Sequence, residues 1–254
     1  MGYLPITGGE EIGRSVELIE DFDPLLFREP PVQNKSTLIL AVAATSLISM
    51  SASAAVIASW SMPTAVPAAT TGMSYSYGAA NSGELTSGTM LSGTHSSAST
   101  AWSSPAGNGS TYALSSNAWN VGDYYQISLA TTGYSAVSVA WDQTRSSTGP
   151  AGFEAVLSVD GGSTFSSLGS YTVNQVSWSA TVPVTTSSFG SVASAADNQA
   201  SVIIRFKVVT AGTSTTTGTN RIDNISVTGT VVPVPTPGAI ALVGLAGLVA
   251  RRRR

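Results

Sequence analysis

Between residues 55 and 231 apolar and polar residues alternate in short runs divided by Gly, Ser, Thr and Asn. The clearest runs are Tyr125/Ile127/Leu129, Val137/Val139/Trp141, Phe153/Ala155/Leu157/Val159, Val176/Trp178/Ala180/Val182 and Val202/Ile204/Phe206/Val208. A period of two sets each group on one face of an extended chain, so each run predicts a half-buried strand. Residues 222–231 predict a further strand with less regular alternation, and 55–62, 73–77 and 111–114 read as strands rather than helices. No stretch between 60 and 230 has apolar residues at helical spacing. Residues 82–118 hold few large apolar side chains and predict a long surface loop or an edge hairpin; 211–220 is similar and shorter. Short antiparallel strands with a turn every ten residues or so predict an all-β sandwich or barrel.

Composition agrees with the pattern. The middle of the chain is rich in Ser, Thr, Gly and Ala and poor in the Lys and Glu that exposed helix faces favour. Only 10% of the 254 residues are charged. Between residues 55 and 250 four basic side chains face seven acids, spread thinly, which leaves no cluster to neutralise phosphates and speaks against a nucleic-acid partner. Cysteine is absent, so there are neither disulfide staples nor thiolate metal sites. The fold must rest on an apolar core, which a domain of about 175 residues supplies by burying roughly 70% of its unfolded surface.

Both ends carry a different pattern. Lys35 leads into an apolar run at 38–50 (LILAVAATSLISM), followed by small residues. Ala52-Ser53-Ala54 fits the small-x-small site of signal peptidase, with cleavage after Ala54, so 35–54 is expected to be a helical signal peptide rather than a buried core helix. Residues 1–34, with seven acids, are unlike the basic start of such a signal. They read as a leader or as the product of a mis-assigned start codon, with translation beginning near Val32. The other end runs through a proline strip holding Pro235 and Pro237, then thirteen apolar or small residues at 238–250, then Arg251, Arg252, Arg253 and Arg254. Thirteen residues are short for a helix spanning about 30 Å of hydrocarbon, which takes roughly 20, and the arginines hold that end in the cytoplasm.

In that order, proline motif, short apolar helix and arginine cluster resemble a PEP-CTERM sorting signal, the tail recognised by exosortase-type transpeptidases. Here Pro235-Thr236-Pro237 stands where the family has Pro-Glu-Pro. The resemblance implies a membrane hold through residues 232–254, cleavage near the prolines, and delivery to the cell surface or matrix of a bacterium. A plain membrane anchor is the alternative. A second resemblance rests on residues 142–150 (DQTRSSTGP), Arg205-Phe206 and residues 218–229 (GTNRIDNISVTG). These are similar to a β-sandwich module of bacterial secreted proteins whose closing strand reads R-[IL]-D-N-[IV]-x-[IV]-x-G. The resemblance spans residues 123–229 of the 55–231 β-sandwich domain and implies a jelly-roll fold of the broad carbohydrate-binding or lectin-like sort, without fixing a ligand.

Several residues carry candidate chemistry. Residues 158–165 (SVDGGSTF) fit the Asp-box pattern, where Asp160 accepts backbone N–H bonds across a turn and Gly161 and Gly162 tolerate positive φ. One copy points to a hairpin turn rather than a propeller blade. Asp142 and Arg145, with Arg221 and Asp223, suggest ion pairs at strand ends; the sharper alternative is a Ca²⁺ site using Asp142 and Asp223, although no D-x-D-x-D-G loop is present. No other cofactor is implied. Glu84 and Glu154 are the carboxylates a glycosidase would need, at a separation that sequence does not give. His95 sits among Ser and Thr with no adjacent acid and reads as an exposed loop residue. Of the five tryptophans, Trp141 and Trp178 lie in phase with apolar neighbours and read as core. Trp102 and Trp119 flank the Ser-rich region and are the candidate platforms for stacking on sugar rings. The expected function is therefore that of an exported, non-enzymatic surface or matrix protein, structural or adhesive, with exopolysaccharide as a candidate partner. A secreted polysaccharide hydrolase is the rival.

Overall fold

A computed structural model describes residues 53–184 and 194–233. The residues expected to form the leader, most of the signal peptide and the sorting tail, including Ala52, Pro235, Pro237 and Arg251 to Arg254, lie outside the described residues. Among the described residues no helix is long and apolar enough to cross a membrane.

The described chain is all-β, with one short 3₁₀ turn at Ser194–Ala196. Its strands are β1 (Ala54–Trp60), β2 (Ser74–Gly78), β3 (Met90–Thr94), β4 (Trp102–Ser103), β5 (Leu114–Ser116) and β6 (Tyr124–Leu129). They continue as β7 (Tyr134–Arg145), β8 (Gly152–Ser158), β9 (Ser166–Thr172), β10 (Val202–Thr210) and β11 (Asn220–Val231). Six of them form an antiparallel sheet in the order β2-β3-β6-β10-β8-β9. The other five form a second antiparallel sheet around β11. One edge of β11 pairs with β7, from Asn220↔Arg145 to Val231↔Tyr134. Its other edge is shared, by β5 at residues 220–222 and by β1 at 225–230, with β4 beyond β5.

The two sheets pack face to face because alternation delivers one apolar face from each. Tyr125, Ile127, Phe153, Leu157, Ile204 and Phe206 point inward from the six-stranded sheet, and Ile57, Val139, Trp141, Ile222, Ile225 and Val227 from the other; all are buried in one continuous cluster. Each large aliphatic or aromatic side chain so buried contributes about 1.5–3 kcal/mol from transfer alone. Aromatic contacts cross the interface: Trp141 meets Phe206 at 4.3 Å between centroids and Tyr171 at 5.2 Å. Trp141 and Trp178 are buried, as their phase predicts.

A polar seam also runs through the core. Tyr125 Oη donates to the Asn220 carbonyl at 2.8 Å. The Asn220 side-chain oxygen accepts from Gln143 Nε2 at 2.8 Å, and Gln143 Oε1 accepts from Trp141 Nε1 at 3.1 Å and Tyr171 Oη at 2.9 Å. All but the Trp141–Gln143 bond, which lies within β7, tie one strand to another.

Three expectations about elements require correction. Residues 176–182 alternate but form no strand: Thr144 Oγ1 donates to the Val176 carbonyl at 2.7 Å and accepts from its N–H at 3.0 Å, so a side chain takes the place of a ladder. The Ser-rich stretch at 82–118, read as a long loop or an edge hairpin, is not one loop: it contributes β3, and its β4 and β5 form an antiparallel pair at the edge of the five-stranded sheet. The strand expected at 111–114 begins only at Leu114. In β3, Gly93 is there for contact: a Cβ at that position would stand 2.3 Å from the Trp102 ring.

Candidate functional site

The outward phase of the six-stranded sheet carries the chemistry that the core phase excludes. On β6 it presents Tyr124, Gln126 and Ser128, and on β10 Ile203, Arg205 and Lys207, all half-buried. Register places Arg205 beside Gln126 and Lys207 beside Tyr124 and Glu154. Arg205 Nε donates to Gln126 Oε1 at 2.7 Å. Its guanidinium lies 4.2 Å from the centroid of the Tyr124 ring and 4.1 Å from that of Phe165. An arginine held by two rings and an amide keeps one rotamer, so its remaining donors face solvent already ordered. Next to it Lys207 Nζ meets Glu154 Oε2 at 3.0 Å. Hydrogen bonds from Ser167 and then Lys207 hold the Glu154 carboxyl below its ordinary range.

Phe165 reaches this face because of the Asp-box turn between β8 and β9. Asp160 accepts from Ser158 Oγ at 2.7 Å, from the Thr164 N–H at 3.0 Å and from Thr164 Oγ1 at 2.6 Å, while Ser158 Oγ accepts from the Gly162 N–H at 2.9 Å. Gly161 and Gly162 take φ of 74° and 92°, and Gly162 packs toward Ile203 of β10. The donors of Thr164 and Ser158 hold the exposed Asp160 carboxyl far below the usual carboxylate range. The turn thus folds back over the sheet and sets Phe165 between its own Gly162 and Arg205.

Trp102 and Trp119, the platform candidates, are buried at 3% and 0% exposure and present no ring to solvent. Trp102 Nε1 donates to the Gly72 carbonyl at 3.0 Å and Trp119 Nε1 to that of Ser116 at 2.9 Å. Between them lies His95, also buried, with ring centroids at 4.9 Å and 4.1 Å. This corrects the exposed-loop reading: the tryptophans anchor the Ser-rich segment around a histidine. His95 Nε2 lies 3.1 Å from Ser116 Oγ, and its Nδ1 lies 3.3 Å from the Ala118 carbonyl and 3.4 Å from Asp123 Oδ2. Ser116, His95 and Asp123 therefore stand in the order of a nucleophile, base and orienting acid, but Ser116 is fully enclosed and its hydroxyl has no open side. Asp123 pulls the histidine pKa up and burial pulls it down; burial prevails, so His95 sits below its ordinary value and stays neutral at pH 7. No local motif announces this cluster, because its members come from three separate segments.

Asp142 and Asp223 do come together, opposite each other in the β7–β11 register. Asp223 Oδ2 accepts from the Asn108 N–H at 2.8 Å and from Ser110 Oγ at 2.5 Å, and its Oδ1 accepts from the Asn224 N–H at 2.7 Å. Asp142 Oδ2 accepts from the side-chain amides of Asn108 and Asn224, each at 2.9 Å. These oxygens are met by N–H and O–H donors rather than turned toward a shared vacancy, and no group of three or more His, Cys, Asp and Glu able to hold a metal occurs among the described residues. The set does not fit a Ca²⁺ site as it stands. Gly107 lets the loop lie this close, since a Cβ there would meet Asp223 Oδ2 at 2.5 Å. Burial pushes the Asp223 carboxyl up to about 6, with neighbouring Asp142 adding to the shift. The expected ion pairs Asp142–Arg145 and Arg221–Asp223 are not formed. Glu84 and Glu154 are not brought together either: Glu84 accepts from Tyr134 Oη of the five-stranded sheet, and Glu154 lies on the outer face of the other.

No protein-family model matches the chain, and no curated protein matches it. Solved structures of similar outline include a family 61 carbohydrate-binding module in complex with β-1,4-galactotriose, at 12% identity and a TM-score of 0.36 over 56% of this chain and 88% of that one. The K1 cleaved adhesin domain of Lys-gingipain from Porphyromonas gingivalis W83 is 12% identical, with a TM-score of 0.37 over 66% and 95%. The CBM22-1 xylan-binding domain of Paenibacillus barcinonensis Xyn10C is 12% identical, with a TM-score of 0.34 over 70% and 96%.

Proposed function

We propose that this chain is an exported bacterial surface or matrix protein with a jelly-roll-type sandwich that binds polysaccharide through the outer face of its six-stranded sheet, without catalysing its breakdown. The observation that supports this reading best is the Arg205 guanidinium held between Tyr124 and Phe165 and fixed by Gln126. Sugar rings offer apolar C–H faces and pairs of hydroxyls. Aromatic edges and faces meet the first, and forked donors and amide oxygens meet the second. Lys207 and Glu154 extend the row with a further donor and acceptor.

Affinity electrophoresis of the 254-residue chain in gels containing soluble β-linked polysaccharides tests the reading. Retardation by at least one of them, with a tenfold or greater loss of affinity in both Arg205→Ala and Tyr124→Ala, is the expected result. Equal retardation of the variants, or release of reducing ends during incubation, would count against it.

The address follows from the two ends of the sequence. Signal peptidase would cut after Ala54, which is the first residue of β1 and pairs with Thr230, and an exosortase-type enzyme would process the tail near Pro235 and Pro237. Intact mass of the protein recovered from the cell surface and medium should then correspond to a species starting at Ala55 and ending near those prolines. A species that retains residues 1–34 and the four arginines would overturn the sorting reading.

A further inference from the structure

A cleft of about 290 Å³ opens where the end of β7 and the start of β11 meet the irregular segment that follows β9. Its lining combines two guanidiniums, Arg145 and Arg221, with the Trp178 indole and the polar side chains of Gln175 and Ser177. The wall is pinned from below. Thr144 Oγ1 bonds both backbone groups of Val176, and Arg145 Nε donates to the Val173 carbonyl at 3.1 Å. Arg145 Nη1 is used in the same way, on the carbonyls of Ser146 and Ser147 at 3.1 Å each and of Gly149 at 3.4 Å. Two groups in this ordered wall have donors to spare. The side chain of Arg221, a half-buried residue, makes neither a hydrogen bond nor an ion pair among the described residues; the ion pair found there between charged groups is Lys207–Glu154. Trp178 is 8% exposed, and its Nε1–H is buried without an acceptor. The nearest acids on the same strands, Asp142 and Asp223, have their oxygens engaged by Asn108, Ser110 and Asn224.

A buried donor with no acceptor and a guanidinium with no counter-charge are both costly unless something supplies oxygen atoms. Two arginines facing one small space match the two oxygens of an oxyanion, and the volume lies at the lower end of ligand pockets, about right for a single ring and its substituent. We propose that this cleft is a second binding site, which takes the carboxylate of a uronic acid residue in an acidic polysaccharide. Arg221 and Arg145 hold the carboxylate, Trp178 Nε1 donates to it, and Gln175 and Ser177 meet ring hydroxyls. The saccharide part of this assignment rests on the polysaccharide reading above; the oxyanion part rests on the cleft alone. The site lies on residues of β7 and β11, away from the Arg205 face on β6 and β10, so the two are separable by mutation.

Titration of the 254-residue chain with trigalacturonate, read by intrinsic tryptophan fluorescence and calorimetry at 50 mM and 300 mM salt, decides the matter. Expected are salt-weakened binding and a loss of at least tenfold in Arg221→Ala. Trp178→Phe, which removes the indole N–H and part of the ring, should weaken binding severalfold and abolish the fluorescence response, and it serves where Arg221→Ala fails to fold. Equal affinity of wild type and Arg221→Ala for trigalacturonate would overturn the site. Inorganic sulfate binding as tightly as trigalacturonate would overturn the saccharide assignment in favour of a simple anion. Loss of trigalacturonate binding in Arg205→Ala, with Arg221→Ala unaffected, would place the acid on the sheet face and leave the cleft without a ligand. Binding of neutral β-linked chains that survives Arg221→Ala but not Arg205→Ala keeps the earlier reading whatever the cleft does.

Discussion

At the scale of single residues two of the buried titratable groups pull stability in opposite directions over the same pH range. Asp223 is raised from 3.8 to about 6 in the folded chain. Its protonated form is favoured by folding, so its contribution is full below about pH 3.8 and is lost as pH rises through about 6, a swing of roughly 3 kcal/mol by linkage. His95 is lowered from 6.5 by burial. Its contribution is full above pH 6.5 and is lost as pH falls below that value, because the unfolded chain then takes up the proton first. Urea unfolding at several pH values from 4 to 7 should resolve the pair by difference. Relative to wild type, Asp223→Asn should gain stability toward neutral pH, and His95→Gln should lose the acid-side decline while the Asp223 slope persists. Parallel pH curves for wild type and both variants would show that neither group is perturbed as described.

At the scale of elements, the turn at residues 158–165 acts as a positioning device. Asp160→Ala removes the acceptor of three donors, from Ser158, the Thr164 amide and the Thr164 hydroxyl. The loosened turn no longer fixes Phe165 on Arg205. Polysaccharide affinity should fall severalfold, less than in Arg205→Ala, with the melting temperature within a few degrees of wild type because the turn is exposed. Unchanged affinity would separate the turn from the face. Which elements were legible from sequence follows the same logic of side chain against backbone. β6, β7, β8 and β10 declare themselves because large apolar residues alternate and must be buried. β3, β4 and β9 are built from Ser, Gly, Thr and few large residues, so the ladder and not the pattern defines them. Residues 176–182 show the converse, alternation without a backbone partner. The site was missed for a related reason. Tyr124, Gln126, Arg205 and Lys207 occupy the polar phase of correctly predicted strands, where an aromatic and a cation in register are the available clue. The tryptophans at 102 and 119 draw attention by their Ser-rich setting but are the anchors of that segment.

At the scale of the whole molecule, the described residues separate three regions that the linear sequence interleaves. One sheet face carries Arg205, the far edge of the other sheet carries the Arg221 cleft, and the space between holds the apolar core and its polar seam. The unequal roles of the strands have a further meaning. β1, β5 and β7 each pair with β11, and the only other pairing among the described strands of that sheet is β4 with β5. β11 is also the final strand of the described residues, some 160 positions after β1. Closing that sheet joins parts of the chain far apart in sequence, which makes the step slow and entropically late. Until Asn220 and its successors arrive, β1 and β7 have open edges, and Ile57, Val139 and Trp141 have no neighbouring strand from β11 beside them. On these grounds the five-stranded sheet is completed last, when β11 takes its place between β7 on one edge and β1 and β5 on the other.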